Sequence, residues 1–249
     1  ADCDLCSLWP AGRYDIRNFA RAGAQIWTVP GCDGSPFPDT DCVNGVDRAL
    51  SCFSQVEGRD TCLANNQSVD AVLIQFGTND VRASGASGDG WFGSDRARFI
   101  SSLQQIVAQI PSTAACVLVA PPPIWTVNYQ TFNARLSDVQ AIIAQEAATS
   151  RCVVADLFDA YTTYEATNGS GSSLAFYEDC TAPGNGSDCI HFSSPPPQLA
   201  GDVIDAAIQT AILVPENDAT PSSVAALFIV LCVTLIRSKN GSGSCEPPR

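Results

Sequence analysis

The sequence predicts a doubly wound α/β fold, a three-layer α/β/α sandwich with a parallel sheet. Three observations carry this expectation. The runs "AVLIQFG" (71–77), "CVLVAPPP" (116–123) and "CVVADLF" (152–158) are nearly continuously apolar, as parallel strands buried on both faces are. Helical stripes alternate with these runs. With 249 residues, 45% of them apolar and 16% charged, the chain can bury the core of one ordinary globular domain.

The elements follow in order. "YDIRN" (14–18) is a first, short β-rich run. "SDRARFISSLQQIVAQI" (94–110) places Phe99, Leu103, Ile106 and Ile110 on one helical stripe, behind a Ser94 or Asp95 cap. "TFNARLSDVQAIIAQEA" (131–147) repeats the pattern with Leu136, Val139, Ile143 and Ala147. "PQLAGDVIDAAIQTAIL" (197–213) does so with Leu199, Val203, Ala206 and Ile208, and the domain closes near residue 214. Residues 31–66, rich in Gly, Pro, Asp and Cys, read as an irregular loop, and 165–189 read similarly. Cys180 and Cys189 are near enough in sequence to close a small loop before His191. Such a link contributes roughly 2.5–3 kcal/mol by loop entropy, although spacing alone leaves the pairing open.

Residues 215–223 form a linker, and Val224 to Ile236 is a run of 13 residues with only Thr234 polar. Arg237 and Lys239 follow it, within a polar tail over 237–249. A single membrane span over 224–236 is the expectation, with a buried apolar segment as the alternative.

The formal net charge of −13 repels phosphate backbones and argues against nucleic acid as a partner. Twelve cysteines are many for a reducing compartment. Cys3-x-x-Cys6 is a lone pair with no second pair to complete a zinc site, so a disulfide framework is the better reading. Four N-x-S sequons, at Asn66, Asn168, Asn185 and Asn240, agree with a secretory route, extracellular or luminal. There is no methionine, and "ADCDLCSLWPAG" does not open as a leader does. The expectation is that a leader precedes Ala1.

Candidate chemistry lies in three stretches. "GSDCIHFSSPPPQLAG" (186–201) holds the one histidine of the chain, His191, three positions after Asp188. In "VLIQFGTNDVR" (72–82) a strand ends near Phe76, Gly77 turns, and Asn79 stands where a side-chain amide can donate to an oxyanion. The bland alternative there is an Asn-Asp turn or helix cap. In "IRNFARAGAQIW" (16–27) Gly23 sits at a turn after a strand, where a backbone N–H can approach a ligand closely.

Taken in this order, the turn glycine, G-x-N-D and D-x-x-H resemble the SGNH (GDSL-like) hydrolase family from about Tyr14 to Leu213. "RNFARAGA" and "APPPIW" (120–125) make the chain look most like carbohydrate O-acetylesterases within it. The resemblance implies a flavodoxin-like sheet and a serine esterase with no metal and no organic cofactor, acting on a small-molecule or glycan ester. It implies that His191 is the general base, that Asp188 orients it, and that Gly23 N–H and the Asn79 amide form the oxyanion hole. Thr78 and Asp80 shape the turn, and Trp125 lines the acyl or sugar pocket or is a packed aromatic.

One element of the family pattern is not in this sequence: the Gly-Asp-Ser block on a central first strand, which carries the nucleophile. Family spacing puts it ahead of Ala1, so the expectation is that the serine lies upstream. The alternative is a non-catalytic, cell-surface carbohydrate-binding module on the same fold. A nucleotide-binding protein is a poor third reading, since no Gly-rich phosphate loop follows any strand.

Overall fold

The computed structural model describes residues 15–18, 25–26, 70–83, 90–178, 180–184, 189–193, 197–213 and 233–237. Its elements are β1 (Asp15–Asn18), β2 (Ala71–Gln75), α1 (Thr78–Ala83), α2 (Arg96–Gln109), β3 (Ala115–Ala120), α3 (Tyr129–Thr149), β4 (Cys152–Asp156), α4 (Leu157–Asn168), α5 (Gln198–Leu213) and β5 (Val233–Arg237). The strands form one sheet in the order β1-β5-β2-β3-β4.

Strands β2, β3 and β4 are parallel, with Ala71 opposite Ala115 and Cys116 opposite Cys152. Alternate side chains leave opposite faces, and both faces are covered. Val72, Ile74, Cys116 and Leu118 pack under Phe99, Leu103 and Ile106 of α2 and under Leu136, Val139 and Ile143 of α3. Ala71, Leu73, Val117, Val119 and Ala155 pack under Tyr161 of α4 and Ala200, Ile204 and Ile208 of α5. This double coverage is why the three runs are apolar at nearly every position and not at every second one. The three-layer α/β/α sandwich is as expected.

Four details differ from the expectation. The sheet is mixed, because β5 runs antiparallel to both neighbours: Asp15 pairs with Arg237, and Ile74 with Val233. Leu157 and Phe158 belong to α4 and not to a strand, because Asp156 ends β4 and its Oδ1 accepts the N–H of Asp159 at 2.9 Å. Neither Ser94 nor Asp95 caps α2: a wide turn over Trp91–Asp95, kinked at Gly93, runs helically into it, and Asp95 makes no side-chain cap bond. On α5 the buried stripe is rotated from the expected one. Ala200, Gly201, Ile204, Ala207 and Ile208 are buried and Ala206 is exposed, because small residues let the helix approach the sheet.

Cys116 and Cys152 are bonded, joining β3 to β4 with Cα atoms 4.4 Å apart. Closing a loop of sequence separation 36 is worth roughly 4 kcal/mol by chain entropy. Cys180 and Cys189 are bonded as well. No helix among the described residues is long and apolar enough to cross a membrane. Of the apolar run at 224–236, residues 233–236 lie in β5, and 224–232, like the linker at 215–223 and the tail beyond 237, lie outside the described residues.

Candidate active site

In the parallel part of the sheet, β2 and β3 deliver the segments after Gln75 and Ala120 to the same carboxyl edge. After β2 the chain turns at Gly77, whose φ of 125° favours glycine. A Cβ there would stand 2.7 Å from Val139 Cγ1, so α3 can press against this turn only because no side chain intervenes. Helix α1 begins at once, and half-buried Thr78 and Asn79 occupy its first turn.

Asp80 is fully buried. Its Oδ1 accepts the N–H of Ile26 at 2.7 Å, and its Oδ2 accepts the N–H of Gly77 at 2.9 Å. Burial raises its pKa to about 7, against the opposing pull of those backbone donors. From the other side, buried Arg135 of α3 donates to the carbonyl of Val81 at 3.0 Å. Short α1 is therefore held between α3 and the segment at Ile26.

After β3, residues Pro121 to Trp125 form a ledge. Asn133 of α3 clasps Ile124, accepting its N–H at 2.8 Å and donating to its carbonyl at 2.9 Å. Trp125 is bonded three times. Its backbone N–H donates to Cys189 O at 3.0 Å, its carbonyl accepts from Gly184 N–H at 2.8 Å, and its indole N–H donates to Ser173 Oγ at 3.2 Å. The half-buried indole packs against the α4–α5 side of the core and lies 5.3 Å from the Tyr129 ring. Ser173 is in turn fixed by Glu165, whose carboxylate accepts the N–H groups of Gly171 and Ser173.

His191 is exposed, and its backbone is anchored on both sides. Two residues before it stands buried Cys189, bonded to Cys180. The His191 carbonyl accepts the N–H of Glu178 at 2.9 Å, and Phe192 forms an antiparallel bridge with Tyr177. The Phe192 ring stacks on Tyr161 with centroids 5.6 Å apart. The Tyr177 hydroxyl donates to Pro123 O, so the ledge meets the histidine loop twice. Burial, reinforced by the nearby Tyr161 and Glu165, holds the Tyr177 pKa well above its ordinary value and keeps the phenol a donor.

Of the residues singled out in the sequence, Asn79 and Trp125 stand beyond adjacent strands at one edge, and Cys189 ties the His191 loop to Trp125. Gly23 and Asp188 lie outside the described residues. Ile26, three positions after Gly23, is described and is bonded to the helix turn that bears Asn79. The supporting roles of Asn133, Ser173 and Glu165 carried no sequence signal: Ser173 meets Trp125 from 48 positions away, and the bonds of Asn133 to Ile124 and of Glu165 to Gly171 and Ser173 cross loops with no periodicity.

The model of the GDSL-like lipase/acylhydrolase family matches residues 16–194, most of the chain and every stretch just described. The chain belongs to the GDSL-like lipase/acylhydrolase family. No curated protein matches it. Among solved structures, the chain is similar to the native aryl esterase of M. smegmatis, with 13% identity over 76% of this chain and 75% of that one and a TM-score of 0.44. It is also similar to a catalytic mutant of an acetylxylan esterase from Geobacillus stearothermophilus, with 16% identity, 61% and 63% coverage and a TM-score of 0.37. Membership places the chain in a family of ester-bond hydrolases. Its two described disulfides point to an oxidising, extracellular or secretory environment.

Proposed function

We propose that the full-length protein is a serine-dependent carboxylic-ester hydrolase that removes acetyl groups from carbohydrates. In this reading the nucleophilic serine is contributed by sequence ahead of Ala1. His191 takes the serine proton as the hydroxyl attacks the ester carbonyl, then gives it to the departing sugar alcohol. Water next attacks the acetyl-enzyme, His191 again accepting a proton, and acetate and free serine are released. Asp188 orients the imidazole, while Gly23 N–H and the Asn79 amide stabilise the oxyanion of both tetrahedral intermediates. Trp125 borders the acyl or sugar side, and no metal or organic cofactor takes part.

The observation that carries this reading is the pairing of Asp80 with Ile26, which ties the turn bearing Asn79 to the segment that follows Gly23. The test is initial-rate hydrolysis of p-nitrophenyl acetate and an acetylated xylo-oligosaccharide by the full-length protein and its His191→Ala variant. Loss of activity by about 10³-fold or more is expected, and unchanged turnover overturns the reading.

A second reading, a non-catalytic carbohydrate-binding module, is favoured by one feature of the sheet: β5 occupies the interior position between β1 and β2. This is where the family resemblance puts the serine-bearing strand. That module would show saturable binding of xylo-oligosaccharides with no acetate released.

A further inference from the structure

Asp80 is more than a turn former. A carboxylate that caps or shapes a turn needs one oxygen for a local N–H. Here the other oxygen reaches a residue 54 positions away, Ile26, and the carboxylate is withdrawn from water to do so. Burying a carboxylate is costly unless donors compensate it, and these two backbone N–H groups offset part of that cost. Chain connectivity supplies the consequence: Asp80 adjoins Asn79 within α1, and Ile26 follows Gly23 by three residues. Helix α1 is itself fixed on α3 by Arg135 and by the close approach of Val139 to Gly77.

We propose that Asp80 is a positioning residue for catalysis, holding the turn that bears the Asn79 donor against the segment at Ile26 by gripping Ile26 and Gly77. This rests on the ester-hydrolase reading of the same site. Asp80 and Ile26 lie 54 positions apart in the chain, and the carboxylate bonds the turn that bears Asn79 to that distant segment. Oxyanion donors act in the transition state, so a displaced donor lowers kcat and leaves KM nearly unchanged.

The test is the Asp80→Asn variant, which keeps the shape and one acceptor but turns an amide N–H₂ toward a backbone N–H. In the full-length protein with p-nitrophenyl acetate, kcat is expected to fall by about 10–100-fold with KM within about twofold. Unchanged kcat, with His191→Ala inactive, overturns the proposal while sparing the ester-hydrolase reading. Unchanged activity in His191→Ala instead defeats that reading, and amide hydrogen exchange then decides about Asp80. Exchange at Ile26 and Gly77 is expected to rise by about tenfold or more in Asp80→Asn, with Val117 to Val119 unaffected. Unaltered exchange at Ile26 overturns the tie. Should the variant not fold, the same amides are read in the parent: protection of Ile26 like that of Gly77 supports the proposal, and free exchange at Ile26 overturns it.

Discussion

The backbone N–H of Trp125 donates to the carbonyl of Cys189 at 3.0 Å, so the ledge after β3 and the loop before His191 share one hydrogen bond. Because Cys189 is also bonded to Cys180, the histidine's approach to the site is fixed covalently from one side and by the ledge from the other.

Opening the Cys180–Cys189 link is therefore expected to affect activity as well as stability. A Cys180→Ser, Cys189→Ser double variant should lose roughly 2.5–3 kcal/mol of stability from loop entropy, read by urea unfolding. Its kcat on p-nitrophenyl acetate should fall more than the fraction unfolded at the assay temperature explains. A kcat matching the parent's once corrected for unfolded protein would show that the ledge and the Tyr177–Phe192 bridge hold His191 without the disulfide.

Asp80 gives stability a pH dependence of definite sign. Its folded pKa is raised from the ordinary 3.8 to about 7, so between these the folded state holds a proton that the unfolded chain releases. The Asp80 contribution to stability is thus full below about pH 4 and declines as pH rises toward 7. Replacement by Asn, which does not titrate, should make the stability difference between variant and parent drift in the variant's favour across that interval. Thermal midpoints of both proteins at pH 4, 5.5 and 7 measure it. A constant difference across the three would show that Asp80 titrates alike in the two states.

Gly77 should tolerate no side chain. In Gly77→Ala the Cβ meets Val139 Cγ1 at 2.7 Å, and the backbone must keep a φ of 125°. The overpacking costs about 1–3 kcal/mol and the left-handed conformation about 1–2 more. Adding Val139→Ala should relieve the first cost and leave the second, so a double-mutant cycle should show favourable coupling between the two substitutions. Strict additivity would mean that the turn moves away from α3 instead.

Asn168 is the sequon that lies among the described residues. It is exposed at the end of α4, followed by Gly169 with a φ of 98°, and its side-chain amide donates to Tyr164 O at 2.9 Å. Expression through a eukaryotic secretory pathway should give a glycan mass on the peptide containing Asn168, removed by glycosidase and absent in Asn168→Gln. An unmodified peptide from secreted protein would refute this.

Much of the fold was legible because burial on both faces writes itself into composition: Val72 to Ile74 and Val117 to Val119 are apolar at every position, and Leu136, Val139 and Ile143 share a face. The misreadings have local causes. Leu157 and Phe158 continue the apolar run of β4 without a break, so only the geometry of Asp156 shows where the helix starts. Helix α5 is apolar around most of its circumference, so its buried stripe could not be phased from hydrophobicity alone. In the site, His191 and Asn79 stood out through the residues around them. The partners of Asp80 and Trp125 did not, since a hydrogen bond between segments 54 or 64 positions apart leaves no periodicity to read.

The place of β5 bears on when this sheet can form. Asp15 pairs with Arg237, and among the described strands β1 touches the sheet through β5. Among the described strands, β2, β3 and β4 are available to pair on the ribosome long before β5 emerges, and β1, though made before them, must wait for it. Within this set the outer edge of β2 has no partner until β5 arrives, the state in which edge-to-edge association competes with folding. Closure then spans nearly the whole chain, a high contact order that slows the final step.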